Sequence, residues 1–292
     1  MTLDVPPAWA GLAELLAGTA WRRLVVLGAA DVGKSSFCRF LGRYLAQRGQ
    51  AVGMLDTDLG QKMVGPPTCI TLGQFAPDGE LHLRHMRFVG EMSPAANIAG
   101  VVAASARLAG QAACDRLVVN TSGLITGPGV ALKRWKLDAL EPDHVIAIAR
   151  AGELTPLLFA LPPERVHHLL PSPAAQRKSP AARERNRRSA LLAALAGCRP
   201  ASLPGLAVED LYRNAPEPDR FRLCGLAGPD GEDRAIGLLR WSDFVDRSEL
   251  WTNVEPARVQ RVRLGMTAPD LGELAESLPA GVQEERAADR LA

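Results

Sequence analysis

The sequence predicts an α/β protein: a mostly parallel sheet flanked by helices, followed by a small C-terminal β-rich domain. Three observations carry that prediction. Short β-branched runs alternate with segments of helical spacing up to about residue 200; a glycine-bearing loop joins the first such run to the first clear helix; and beyond residue 200 the alternation gives way to hairpin-like runs.

Taken in order, residues 1–20 read as an N-terminal leader containing Pro6, Pro7 and Trp9. The principal domain is expected over 21–200. Its strands are predicted at 24–27, 51–55, 85–89, 116–120, 144–149 and 165–169. Helices are predicted over 34–48, where Phe37, Phe40, Leu41, Tyr44 and Leu45 mark one apolar face, and over 95–108 and 130–140. In the β-rich domain, 201–270, the runs 221–226 and 235–241 flank Gly228-Pro229-Asp230-Gly231, the signature of a hairpin, and further strands are expected at 249–254 and 259–264. Residues 271–292 form a polar, alanine-rich tail.

Bulk properties narrow the function classes. At 292 residues the chain can bury a substantial core, and 47% hydrophobic with 23% charged residues is a globular composition. A net charge of +2 gives no overall attraction to nucleic acid or membrane, so a polyanion site must come from local clustering. The five cysteines are scattered with no C-x-x-C spacing, which argues against a disulfide framework and against zinc. No apolar run approaches the ~20 residues that span a bilayer, and the N-terminus lacks the pattern of a signal peptide, so a cytoplasmic protein without membrane contact is expected.

The most informative segment is Gly28-Ala29-Ala30-Asp31-Val32-Gly33-Lys34-Ser35, followed by Ser36, which satisfies G-x-x-x-x-G-K-[ST] between a strand and a helix. Backbone N–H groups of such a loop converge on phosphate oxygens at a helix N-terminus, Lys34 reaches the outer phosphates, and the Ser35 hydroxyl suits Mg²⁺. The expected fold is therefore that of a P-loop NTPase. Leu55-Asp56-Thr57-Asp58-Leu59-Gly60-Gln61 brings two carboxylates to the end of the second strand, where metal or general-base work is done. Val119-Asn120-Thr121-Ser122-Gly123 ends a third strand with an amide at Asn120, which cannot supply negative charge, leaving Asp58 as the better carboxylate. An N-K-x-D guanine-reading sequence is absent. The segment 177–188 concentrates six cations and one anion; if Pro180 opens a helix, Arg183 and Arg187 share a face suited to a lid over a triphosphate.

Together these segments resemble the polynucleotide 5′-hydroxyl kinases of the RNA-processing type. The D-V-G-K-S loop, L-D-T-D-L-G-Q, F-V-G-E-M-S-P at 88–94, N-T-S-G at 120–123 and the arginine segment follow the family's order, over roughly residues 5 to 195. The resemblance implies ATP and Mg²⁺ as cofactors. RNA or DNA with a 5′-hydroxyl end would be the substrate, with room for an RNA-processing protein partner. It implies Asp58 as the group activating the 5′-hydroxyl, and Lys34 and Ser35 as phosphate and Mg²⁺ ligands, Asp58 sharing the metal. Gln61 would lie near the reacting phosphate, Thr121 and Gly123 in a clasp on the phosphate side, and Arg177, Arg183 and Arg187 in the lid, where Arg185 or Arg188 could replace one of them.

Where family members commonly carry Trp after the clasp glycine, this chain has Leu124. That departure keeps a catalytically silent, nucleotide-binding scaffold in view. A P-loop ATPase or metallochaperone would need a metal cluster, for which His82, His85, His144, His167 and His168 offer no ligand spacing; a small-molecule kinase would not need the arginines.

Overall fold

The computed structural model describes residues 5–201, 207–212, 221–240 and 249–268. The predicted tail at 271–292 lies outside them. The chain divides into two compact units, the first comprising Met1–Val64, Ile70–Arg84 and Ser93–Glu184, the second Gly65–Cys69, His85–Met92 and Arg185–Ala292.

The first unit runs α1 (Pro7–Gly18), β1 (Arg23–Gly28), α2 (Lys34–Ala46), β2 (Val52–Thr57), β3 (Cys69–Phe75), β4 (Leu81–Phe88), α3 (Ile98–Gly110), β5 (Arg116–Thr121), α4 (Pro128–Leu140), β6 (His144–Ile148), α5 (Thr155–Leu158) and β7 (Val166–Leu169), and ends in the first turn of α6 (Pro180–Leu195). Strands stand in the order β7-β6-β1-β5-β2-β3-β4. The first five are parallel; β3 turns back antiparallel on β2, with Leu55 opposite Leu72. Leu24 to Leu27 and Leu117 to Val119 are buried throughout, as expected of strands covered on both faces.

Register fixes the site. Val26 of β1 stands opposite Asn120 of β5, which stands opposite Asp56 of β2, and Thr57 pairs with Thr121. The glycine loop, the D-T-D segment and the N-T-S-G segment therefore leave the sheet side by side at its carboxyl edge, the ligand edge of open α/β sheets.

The residues read as a leader form α1, with Pro7 at its first position, where the missing N–H costs nothing. Its Trp9 is buried, meets Phe37 of α2 edge-on with ring centroids 5.3 Å apart, and lies near Phe40. Sequence reasoning also missed β3, and it began the helix α3 too early: Asn97 caps it, its side chain accepting from Gly100 N at 2.8 Å. Pro180 does open a helix.

The second unit holds β8 (Arg199–Ala201), β9 (Ala207–Asp210), β10 (Phe221–Ala227), β11 (Asp233–Arg240), β12 (Glu249–Thr252) and β13 (Arg261–Leu264), together with the end of β4. β10 and β11 form the predicted hairpin, closed by Gly228 N donating to Glu232 O at 2.9 Å. β13 pairs antiparallel with β10, β12 with β11, and β9 lies parallel to β13. Phe88, Leu191, Leu223, Leu238 and Trp251 fill one apolar cluster, and Leu226, Leu239, Leu250 and Val262 another. Among the described residues no helix is long and apolar enough to cross a membrane.

Candidate functional site

The glycine loop bends where its sequence lets it. Gly33 caps α2 with φ 98°, and Asp31 also takes a left-handed backbone at φ 61°, a region that aspartate tolerates better than most side chains. The loop is backed closely by its neighbour: a Cβ on Gly123 would come within 2.6 Å of the Ala30 backbone, so only glycine lets the two loops touch. Lys34 is buried and turns its Nζ onto the carbonyl of Ala29 at 2.6 Å. Burial pulls its ammonium below the usual lysine range, while the carboxylates of Asp58 and Asp31 oppose that shift. Ser35 lies exposed and Ser36 half-buried at the start of α2.

The two carboxylates of the D-T-D segment have different employments. Asp56 is fully buried and saturated: it accepts from Asn120 Nδ2 at 3.0 Å and Met63 N at 2.6 Å, and Lys62 Nζ lies 3.3 Å away. Asp58 is half-buried, with Oδ1 accepting from Gly60 N and Gln61 N, both at 3.0 Å, in a turn that fixes the carboxylate beyond the strand end. The amide at position 120 now has a physical reason. A carboxylate there would face Asp56 at hydrogen-bond distance, and two such charges cannot both ionise cheaply; Asn120 instead donates.

Thr121 is buried and its hydroxyl donates to Val26 O at 2.7 Å, tying β5 to β1. Gly123 stands against the glycine loop, followed by half-buried Leu124. Gln61 Nε2 donates to the carbonyl of Arg183 at 3.1 Å. Arg183 Nη2 meets Asp31 Oδ2 at 2.5 Å, and the same oxygen accepts from Lys178 N at 3.0 Å. Arg177 is exposed before the helix; Arg187, half-buried one turn after Arg183, and Arg188 belong to the part of α6 counted with the second unit.

Sequence reasoning missed two residues of this edge. Lys133 and Lys136 of α4 are 0% and 1% exposed, yet both carry amines. Lys133 Nζ donates to Ser122 O at 2.7 Å and to Ser122 Oγ at 3.0 Å; Lys136 Nζ donates to Thr57 Oγ1 at 2.7 Å. Burial pushes the Lys136 ammonium down to about 7 and Lys133 well below its ordinary value, with Lys136 and Lys34 depressing Lys133 further. The signal was their spacing: positions 132, 133, 136, 137 and 140 make one buried face of α4.

This donor set suits a polyphosphate: a helix N-terminus, a glycine loop and buried amines converge where the protein supplies few carboxylates. For a divalent cation the edge offers the Ser35 hydroxyl and Asp58, and few protein ligands are what Mg²⁺ accepts when phosphate and water complete its octahedron. Among the described residues no group of three or more His, Cys, Asp or Glu gathers to hold a metal unaided.

The chain is similar to several known proteins. The family model described as the mRNA cleavage and polyadenylation factor CLP1 P-loop matches residues 28–194. A polyribonucleotide 5′-hydroxyl-kinase of Pyrococcus horikoshii is 35% identical over 141 residues, 46% of this chain and 39% of that protein. One of Thermococcus kodakarensis is 36% identical over 169 residues, 56% of this chain and 48% of that protein. The chain thus spans less than half the length of these curated relatives. Among solved structures, wild-type Clp1p in the Clp1p–Pcf11p complex superposes with a TM-score of 0.69 at 10% identity, over 89% of this chain and 78% of that one, which establishes a shared fold.

Proposed function

The chain belongs to the CLP1 P-loop family, matched over 28–194, and from that membership we propose that it is an ATP-dependent polynucleotide 5′-hydroxyl kinase. It would transfer the γ-phosphate of ATP to the 5′-hydroxyl end of RNA or DNA. The observation that carries the reading is the convergence of the Lys34 loop and Asp58 on one sheet edge, with Asp56 fully engaged elsewhere so that Asp58 is the carboxylate placed beyond the strand. The names of the curated relatives support the acceptor class and make RNA the first substrate to try.

In this reading the backbone amides of 28–33 hold the β-phosphate in line, and Lys34 exchanges its carbonyl partner for outer phosphate oxygens. Asp58 takes the proton of the 5′-hydroxyl as the new O–P bond forms and the bond from the γ-phosphorus to its bridging oxygen breaks, leaving ADP. Arg183, and Arg177 or Arg187 with it, offset the charge on the transferring group. Gln61 orders the turn around Asp58 and meets the lid through the Arg183 carbonyl. Thr121 acts through the frame of the clasp, since its hydroxyl serves Val26. Mg²⁺, held by Ser35 and Asp58, would supply charge neutralisation between the phosphates. An RNA-processing protein partner belongs to the same reading.

The test is transfer of label from γ-labelled ATP to 5′-hydroxyl RNA and DNA oligonucleotides, with Lys34→Ala and Asp58→Asn alongside. Label on the 5′ end, lost in both variants, is expected. ATP binding without transfer would sink the kinase reading in favour of a silent scaffold, which Leu124 favours.

A further inference from the structure

Lysine is rare in this chain: of 34 lysines and arginines only Lys34, Lys62, Lys133, Lys136 and Lys178 are lysine. Four of those five have buried amines at the same sheet edge. Lys34 belongs to the glycine loop and Lys62 is paired with Asp56. Lys133 and Lys136 have no part in the reaction as described, and among the described residues neither ammonium has a carboxylate within ion-pair distance. The charges acting on Lys136 are Asp58, Asp56 and Lys62; those acting on Lys133 are Lys136, Lys34 and Asp58.

Burying an amine without a counter-ion is costly in either form: the charge must be paired or given up, and the N–H groups must still find acceptors. A methionine of similar volume would fill the same space without that cost. What the amines do instead is bond the two loops that bracket the phosphate position. Lys133 grips both oxygens of Ser122, one residue before the glycine that abuts Ala30. Lys136 grips the Thr57 hydroxyl, which in turn donates to Asn120 O at 2.7 Å, one residue before Asp58. Arginine, with its broad planar head, could not make these short single-point contacts in so enclosed a place.

We propose that Lys133 and Lys136 are positioning residues of the phosphate site, Lys133 setting the Ser122–Gly123 turn against the glycine loop and Lys136 setting Thr57 and, through it, the direction of the Asp58 carboxylate. The inference rests on the kinase reading for its second half only. Lys133 governs nucleotide affinity; Lys136 governs the step that uses Asp58.

The experiment compares Lys133→Met and Lys136→Met in the full chain, measuring ATP affinity directly by calorimetry and phosphate transfer by steady-state kinetics, with circular dichroism to verify folding. Lys133→Met should weaken ATP binding about tenfold, which corresponds to ~1.4 kcal/mol. Lys136→Met should leave ATP binding within about twofold and lower kcat on the order of 30-fold, as expected when an interaction made only in the transition state is lost. Thr57→Val removes the Lys136 partner without touching α4; it should reproduce the kcat loss, and combining it with Lys136→Met should add little further loss. Folded variants that all retain wild-type affinity and kcat overturn the proposal, as does an equal loss of both parameters in both lysine variants. If the wild-type chain binds ATP yet transfers nothing, the kinase reading and the Lys136 half fail together. The Lys133 half still stands or falls on its own affinity measurement.

Discussion

Two sets of basic side chains in the molecule are held by opposite means. At the strand ends the charge is lysine, buried and held by backbone and hydroxyl oxygens: Lys34 on Ala29, Lys133 on Ser122, Lys136 on Thr57. At 177–184 the positive charge is carried by Arg177, Lys178 and Arg183, exposed or half-buried, and Arg183 is held chiefly by one carboxylate, that of Asp31. A buried amine must have its donors satisfied by the fold itself, so its position is set before any ligand arrives. A guanidinium near the surface is free to change partners. On the proposed reading the strand-end lysines form a floor, and Arg183 a cover that can let go of Asp31.

The sharpest way to break this contrast is at the floor. Lys34→Ala should lower transfer by about three orders of magnitude, the scale of a lost transition-state donor, with an unchanged circular dichroism spectrum; near-normal activity in a folded variant would contradict it. Asn120→Asp sets a second carboxylate against buried Asp56. It should destabilise the fold by about 3 kcal/mol, the scale of an uncompensated buried charge, read as a lower urea midpoint, with the loss growing as pH rises from 5 to 8.

On the cover, the effect should be smaller and of the opposite sign. Asp31→Asn removes the partner of Arg183 in an ion pair that is partly exposed, so stability should change by less than about 1 kcal/mol while ATP affinity by calorimetry improves a few-fold. A weaker affinity would mean that Asp31 orders the loop for nucleotide instead of occupying the arginine. The smallest effect concerns pH. Lys136 titrates near 10.5 unfolded and at about 7 in the fold, so between those values the unfolded chain binds more protons and stability should rise with pH. A plot of Tm against pH from 7 to 9 should slope less steeply upward in Lys136→Met than in wild type.

The motifs were legible because each is contiguous and sits at a strand end, where a parallel sheet collects them whatever the intervening chain does. The glycine loop, Asp58 and the Asn120–Gly123 segment could be placed from order alone. The lysines of α4 were missed because a lysine in a helical pattern reads as solvent-facing, although their spacing with Leu132, Leu137 and Leu140 sets them on one face. The contact between Asp31 and Arg183 joins residues 152 positions apart and leaves no local trace. α1 was hidden by its own start signal, Pro6-Pro7 reading as a break when Pro7 in fact begins the helix. β3 was hidden because its alternation is interrupted by Gly73, and β8 and β9 because three and four residues are too few to show a period.

The pairing of Asp31 with Arg183 has a consequence for timing. On the kinase reading proposed above, turnover would end with ADP in the site and the transferred phosphate gone with the nucleic acid, leaving Arg183 without it. A carboxylate built into the glycine loop would then stand ready to take the guanidinium back, so the spent nucleotide would lose a contact as soon as transfer is complete. An aspartate within the binding loop would act in this way as a return spring, trading some grip on ATP for faster exchange of ADP.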